Sequence, residues 1–239
     1  MTQTEQYALI TGAGSGIGKA TALAFAQAGI SLALVGRTES KLRAVADEAV
    51  AQGVKARVYP IDLAQVDRVR EEISAIAAEV TIDILINNAG MGYTGALLDT
   101  PLQDWQRVID LNLTSVFQCA QAILPGMRQR QRGTIVNVAS IAGHQVFPNW
   151  GAYCVSKFGL VALSKALAVE ERAHGIRVVT LSPGSVNTEI WDTETVQADF
   201  DRTQMLTPET VAQTILFATQ LPAQAVVEEL TLMPNGGAF

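Results

Sequence analysis

Thr11-Gly12-Ala13-Gly14-Ser15-Gly16-Ile17-Gly18 is the stretch on which the fold turns. The apolar run Tyr7–Thr11 leads into it with the length of a buried strand, and Gly16–Ala28 leaves it with apolar residues at helical spacing. A strand, a glycine turn and a helix in that order gather backbone amides and the positive end of a helix dipole at one point, which favours an anion. The spacing is Gly-x-x-x-Gly-x-Gly at Gly12, Gly16 and Gly18; a GxGxxG pattern counted from Gly12 would end on Ile17.

Outward from this turn, short aliphatic or β-branched runs alternate with longer helical patterns. Strands are expected at Tyr7–Thr11, Ser31–Gly36, Val54–Pro60, Asp83–Asn87, Thr134–Ala139, Ile176–Leu181 and Val226–Met233. Helices are expected at Gly16–Ala28, Glu39–Gln52, Gln65–Glu79, Pro101–Arg130, Gly151–His174 and Thr207–Gln220. Such alternation is satisfied by a parallel sheet with right-handed crossovers and helices on both faces. The reading is α/β: one doubly wound, Rossmann-type domain over residues 1–239 with a seven-stranded parallel sheet. Residues 186–206 lack a clear period and mix Glu189, Asp192, Glu194, Asp199 and Asp201 with Ile190, Trp191 and Phe200, which reads as a mobile lid.

Composition narrows the functional classes. With 239 residues and 49% hydrophobic content the chain can bury one substantial core. A net charge of -6 repels phosphodiester backbones and anionic membranes, so nucleic acid is not expected as a partner. Cys119 and Cys154 belong to no CxxC or Cys/His cluster, and no metal site is expected. Met1–Gln6 is polar, without the apolar core of a signal peptide, and the apolar run Gly159–Val169 is broken by Lys165. A cytoplasmic protein without membrane attachment is the expectation.

Three further features point to chemistry. Where an NAD enzyme places an acid for the ribose 2′-hydroxyl, this chain has Gly36 and Arg37. A planar cationic fork in place of a carboxylate suits a 2′-phosphate, and so NADP(H). Tyr153 and Lys157 stand four residues apart on one helix face, where a neighbouring ammonium would lower the phenol's pKa and make an acid/base catalyst. Ser140 closes the fifth strand, at the sheet edge where ligands of open α/β folds bind, with its hydroxyl available either to polarise a carbonyl or to cap the loop.

With these residues in place, the chain from Tyr7 to about Thr188 resembles the short-chain dehydrogenase/reductase family. Thr11–Gly18 is similar to that family's TGxxxGxG, Asn87-Asn88-Ala89-Gly90 to its NNAG, Asn112, Ser140, Tyr153 and Lys157 to its catalytic tetrad, and Pro183-Gly184 to its post-strand turn. The resemblance implies a pyrophosphate over Gly12, Ser15, Gly16, Ile17 and Gly18. It implies adenine at Asp62 and Leu63, where the alternative for Asp62 is a helix N-cap, and the ribose against Asn88, Ala89 and Gly90. Pro183, Gly184, Val186 and Thr188 would meet the nicotinamide, and Lys157 its ribose. Asn112 would hold a water relaying protons to Lys157, or simply bond backbone. Hydride transfer between nicotinamide and a carbonyl/alcohol substrate follows, with Ser140 orienting the oxygen and Tyr153 moving the proton. A homodimer or homotetramer packed through Pro101–Arg130 and Gly151–His174 is also implied.

Met91, Tyr93, His144, Phe147, Asn149, Trp150, Ile190 and Trp191 form the expected substrate wall, with His144, Trp150 and Trp191 closest to the chemistry; His144 reads more readily as a loop cap. That aromatic wall suits a ketone or dicarbonyl. The alternatives are a 3-oxoacyl-thioester reductase, in which Arg128, Arg130 and Arg132 would dock an acyl carrier protein, and a non-catalytic NADP(H)-sensing protein. The acidic lid and the C-terminal Glu228–Phe239 favour the broad-specificity carbonyl reading over the acyl one.

Overall fold

A computed structural model describes residues 5–198 and 201–237. Met1–Thr4, Asp199, Phe200 and the last two residues, which entered the N-terminal, lid and C-terminal expectations, lie outside the described residues. β1 (Tyr7–Thr11), β2 (Ser31–Gly36), β3 (Ala56–Pro60), β4 (Ile84–Asn87), β5 (Gly133–Val138), β6 (Ile176–Pro183) and β7 (Glu229–Leu232) form one sheet in the order β3-β2-β1-β4-β5-β6-β7. Every pairing is parallel, as the alternating pattern requires. The strands lie within a residue or two of their expected bounds except β7, which keeps only the middle of Val226–Met233; β3 starts at Ala56 instead of Val54.

Around the sheet lie α1 (Gly16–Gln27), α2 (Glu39–Val50), α3 (Val66–Glu79), α4 (Leu102–Ile109), α5 (Ser115–Arg130), α6 (Gly151–Glu171) and α7 (Pro208–Thr219). One core unites α1, α2 and α7 with Ile10, Leu34, Ile86 and Val179; a second, across the sheet, unites α3 and α5 with Leu9, Leu85, Ile135 and Val178. The odd and even side chains of β1 therefore enter opposite layers, as the pleat dictates. Cys119 and Cys154 are both free and buried, and burial pushes the Cys119 thiol up to about 12.

One expectation is corrected. The single helix Pro101–Arg130 is interrupted by a π turn over Asp110–Thr114, which an apolar pattern cannot reveal because both flanking segments keep helical spacing. Gly151–His174 is long and apolar enough to span a membrane by length and composition, yet α6 packs against β6 and the loop after β5, with Leu160, Val161 and Leu167 buried. It is a core helix.

The switch in strand order falls between β1 and β4, and a hydrogen-bonded knot ties the two strand ends. The Thr11 hydroxyl donates to the Ile86 carbonyl and accepts from the Asn88 and Ala89 amides at 2.9 and 3.0 Å. Asn88 Nδ2 donates to the Thr11 carbonyl at 3.0 Å. Open α/β sheets bind ligands at such a crevice, beyond the carboxyl ends of the strands.

Candidate active site

The glycine loop is shaped by what it excludes. Gly12 has φ of +65° and Gly16 of +51°, a region that side chains rarely adopt. A Cβ on Gly18 would fall 2.1 Å from the Gly12 carbonyl oxygen, so Gly18 serves close packing of helix on loop and does not line the cleft. Ser15, at the N-cap of α1, makes no side-chain capping bond and the first turn contains no acid. The amides there are left without a side-chain acceptor beside a cleft of about 1000 Å³, an arrangement that fits a pyrophosphate.

Arg37 lines this cleft, exposed and without an ion pair or hydrogen bond among the described residues. Lys41 and Arg107 join it there; the sequence reading missed both. A lysine in the first turn of α2, against the helix dipole, was the one available signal. Lys41 Nζ meets Glu189 Oε2 of the lid at 2.7 Å. Asp62 and Leu63 also line the cleft. Asp62 Oδ1 accepts from the Ala64 amide at 3.1 Å in a local turn, while the N-cap of α3 is Gln65, so the capping role proposed for Asp62 is not the one it has.

At the chemical end, β5 delivers Ser140 and α6 delivers Tyr153 and Lys157. Ser140 caps a short 3-10 turn by accepting from the Ala142 amide at 3.1 Å, and its hydroxyl is near enough to the Tyr153 phenol to pull that phenol's pKa down. Lys157 is 5% exposed; its Nζ donates to the Val138 carbonyl at 2.9 Å and lies 5.8 Å from the Tyr153 ring centre. Burial pushes the Lys157 ammonium down to about 8. Burial also pushes the Tyr153 phenol up to about 12, with only the Ser140 hydroxyl pulling it back. The expected lowering by Lys157 is thus overridden, because desolvation penalises phenolate more than a distant ammonium, turned toward a carbonyl, stabilises it. At neutral pH Tyr153 holds its proton.

Asn112, fully buried on the π turn, accepts from the Met91 amide at 2.8 Å and donates to the Met91 carbonyl at 2.9 Å and to Ser156 Oγ at 3.0 Å. Ser156 Oγ in turn donates to the Tyr153 carbonyl at 2.7 Å. Asn112 therefore clamps the loop after β4 to α6, and Ser156, which sequence reading missed, is the link. A Cβ on Gly90 would lie 3.2 Å from Asn112 Oδ1 and 3.7 Å from Lys157 Nζ, so all three converge on one point. Deeper, Asn87 donates to Asn137 and Asn137 to Ser164, each at 2.8 Å, tying β4, β5 and α6.

Ala89, Pro183, Gly184, Val186 and Thr188 line the cleft, and Gly184 packs against Met233 and Pro234 of the C-terminal segment. Trp150 and Trp191 line the substrate half with Met91, Phe147 and Ile190. His144 does not line it: its Nε2 bonds Ser182 Oγ at 2.8 Å and faces Glu229. Tyr93 donates to Asp104 at 3.2 Å outside the cleft, and Asn149 is not part of the wall. Trp191 Nε1 donates to the Val186 carbonyl at 2.7 Å. Side-chain bonds tie the described residues of the 186–206 stretch to one another and to the loop after β4. Arg202 bonds Asn187, Asp192 and the Thr188 carbonyl, and Thr195 bonds the Gly92 carbonyl. The arginine cluster is likewise occupied: Arg128 grips Glu171, Arg130 the Ile82 carbonyl, and Arg132 pairs with Asp83.

A doubly wound parallel sheet with this cleft at its strand ends is a Rossmann-type, nucleotide-binding oxidoreductase architecture. The chain belongs to the short chain dehydrogenase family, whose model matches residues 6–199. A 3-oxoacyl-[acyl-carrier-protein] reductase from a Synechocystis strain is 36% identical, over 98% of this chain and 97% of its own. Among solved structures, a metagenomic short-chain oxidoreductase in complex with NADP superposes with a TM-score of 0.84 at 31% identity, covering 96% of this chain and 97% of that one. An alcohol dehydrogenase from Thermococcus sibiricus, complexed with 5-hydroxy-NADP, gives 0.88 at 27% identity, with 97% of each chain covered.

Proposed function

We propose that this protein is a cytoplasmic NADPH-dependent reductase of ketones or dicarbonyl compounds. The observation that carries the reading is the meeting of Ser140, Tyr153 and Lys157 beyond the end of β5, in a cleft running unbroken from the glycine loop to an aromatic wall. The loop amides hold the pyrophosphate, and Arg37, seconded by Lys41, holds the 2′-phosphate. Asp62 and Leu63 border the adenine; Asn88, Ala89 and Gly90 border its ribose. Pro183, Gly184, Val186 and Thr188 orient the nicotinamide, with Lys157 and Tyr153 on the adjoining ribose. Bound there, reduced nicotinamide supplies a hydride. Ser140 then holds the carbonyl oxygen and Tyr153 gives it a proton, for which a phenol kept protonated at neutral pH is the required form. Asn112 keeps the Gly90–Met91 backbone and α6 in register beneath these groups. Assembly as a dimer or tetramer would cover the exposed apolar residues Leu102, Phe117, Val155 and Phe158 of α4, α5 and α6.

The test is turnover of NADPH with a panel of ketones, diketones and 3-oxoacyl thioesters. Replacing Tyr153 by Phe should lower kcat by about 10²- to 10⁴-fold. No turnover of any member, with activity traces indifferent to that change, refutes the enzyme reading and leaves a nucleotide sensor. The thioester arm answers the second reading, which the Synechocystis relative favours. Against it, no guanidinium of the Arg128, Arg130 and Arg132 cluster is without a partner to dock an acidic carrier.

A further inference from the structure

The glycine loop is flanked by two arms that meet. Lys41, in the first turn of α2, packs its stem on the loop: a Cβ at Gly14 would stand 3.1 Å from Lys41 Cβ. From the 186–206 stretch, Thr188 packs on the loop two residues further along, its Cγ2 3.1 Å from where a Cβ at Gly16 would stand. The arms then join, with Lys41 Nζ and Glu189 Oε2 2.7 Å apart across 148 residues of sequence. Lys41, Thr188 and Glu189 line the same cleft as Ser15, which lies between the two loop contacts.

Each arm is braced before it reaches the other. Thr188 caps the 3-10 turn Glu189–Asp192 by accepting from the Ile190 amide at 3.4 Å, and Arg202 holds that turn through the Thr188 carbonyl at 3.0 Å and Asp192 at 2.7 Å. Lys41 is carried by α2, where a cation in the first turn opposes the helix dipole. That position is unfavourable unless a carboxylate or a phosphate answers the charge. The bond to Glu189 takes one of three ammonium donors and leaves two for a phosphate.

Resting on the nucleotide-binding reading above, we propose that Lys41 and Glu189 form a clasp across the glycine loop that retains the cofactor. The pyrophosphate on the loop amides sits between the Gly14 and Gly16 contacts and leaves when the pair parts. Glu189 is a positioning residue: it acts through Lys41, which neutralises its charge so that the carboxylate does not repel the phosphates. Lys41 and Glu189 are 50% and 63% exposed, and a pair so open to water is weak. A weak clasp slows release without making it rate-destroying, which suits a nucleotide that leaves after each turnover.

The experiment follows release of NADPH and of NADH by stopped-flow fluorescence, each displaced from the protein by an excess of its oxidised form. Glu189→Gln should release both about 2- to 5-fold faster, the equivalent of an exposed ion pair, and the difference should shrink at high salt. NADH has no 2′-phosphate and so separates the clasp from any bond of Lys41 to that group. Lys41→Met, Glu189→Gln and the double variant should all release NADH at about the same raised rate, since each removes the same contact. Arg43→Met, which loses a comparably exposed pair with Glu39 on the same helix, should release it at the wild-type rate. Unchanged or slower release from Glu189→Gln, or effects of the two changes that multiply, overturns the clasp and leaves the nucleotide reading standing. A wild type that binds neither nucleotide overturns both.

Discussion

Lys157 allows the electrostatics of the site to be weighed without any substrate. Its ammonium is pushed from 10.5 down to about 8 by burial alone. Between those values the unfolded chain binds more protons than the native one, so native stability rises with pH through this window. From pH 7 to 9 the native group sheds its proton while the unfolded group keeps most of its own. The gain is about 1.4 kcal/mol, or roughly 3 to 6 °C in Tm for a chain of this size. Cys119, pushed up to about 12 from 9.0, acts in the opposite sense as pH reaches 9, but equally in a Lys157→Met variant. The difference between the two proteins therefore isolates Lys157. Melting wild type and variant at pH 7 and 9, free of nucleotide, should show the variant lacking the upward contribution of about 1.4 kcal/mol. Identical pH responses would refute the claim that this lysine is buried as a charge under desolvation strain. Its absolute stability is a poorer guide, since the Val138 carbonyl loses its donor in the variant.

Gly18→Ala should disrupt the loop, because its Cβ would lie 2.1 Å from the Gly12 oxygen; nucleotide-induced Tm shifts should vanish, and a shift of wild-type size would count against the packing argument. Arg128→Met strands Glu171, which is 1% exposed, and should cost about 3 kcal/mol in urea unfolding. Arg43→Met, which loses only an exposed pair with Glu39, should cost under about 0.5 kcal/mol and serves as the control. Combining Gly36→Asp with Arg37→Leu should weaken NADPH binding by roughly 10- to 150-fold by calorimetry, with NADH binding not weakened in parallel. Equal NADPH affinity would remove Arg37 from the phosphate end.

Much of the fold was legible because period and punctuation agreed at Gly12–Gly18 and along the aliphatic strands. The site was legible as an ordered set of residues, not as an electrostatic balance. Lys157's influence on Tyr153 looked decisive from their spacing, yet spacing says nothing about how deeply a phenol is desolvated. His144 read either as a substrate ligand or as a loop cap; its partners Ser182 and Glu229 come from β6 and β7, which only the sheet brings near. Ser156 and Lys41 escaped notice for a similar reason, since each acts through a contact distant in sequence.

The π turn of Asp110–Thr114 works as a phase shifter. One surplus residue there turns the helical frame by about 100°, so that a nearly continuous rod presents one stripe to α3 through α5 and another to α6 through α4. Every position before it inherits its orientation from a single integer. Removing any one residue of the turn would restore an ordinary helix and swing Asn112 away from Met91 and Ser156. A one-residue deletion here should therefore be far more damaging than a substitution, and engineering of α4 should conserve count before composition.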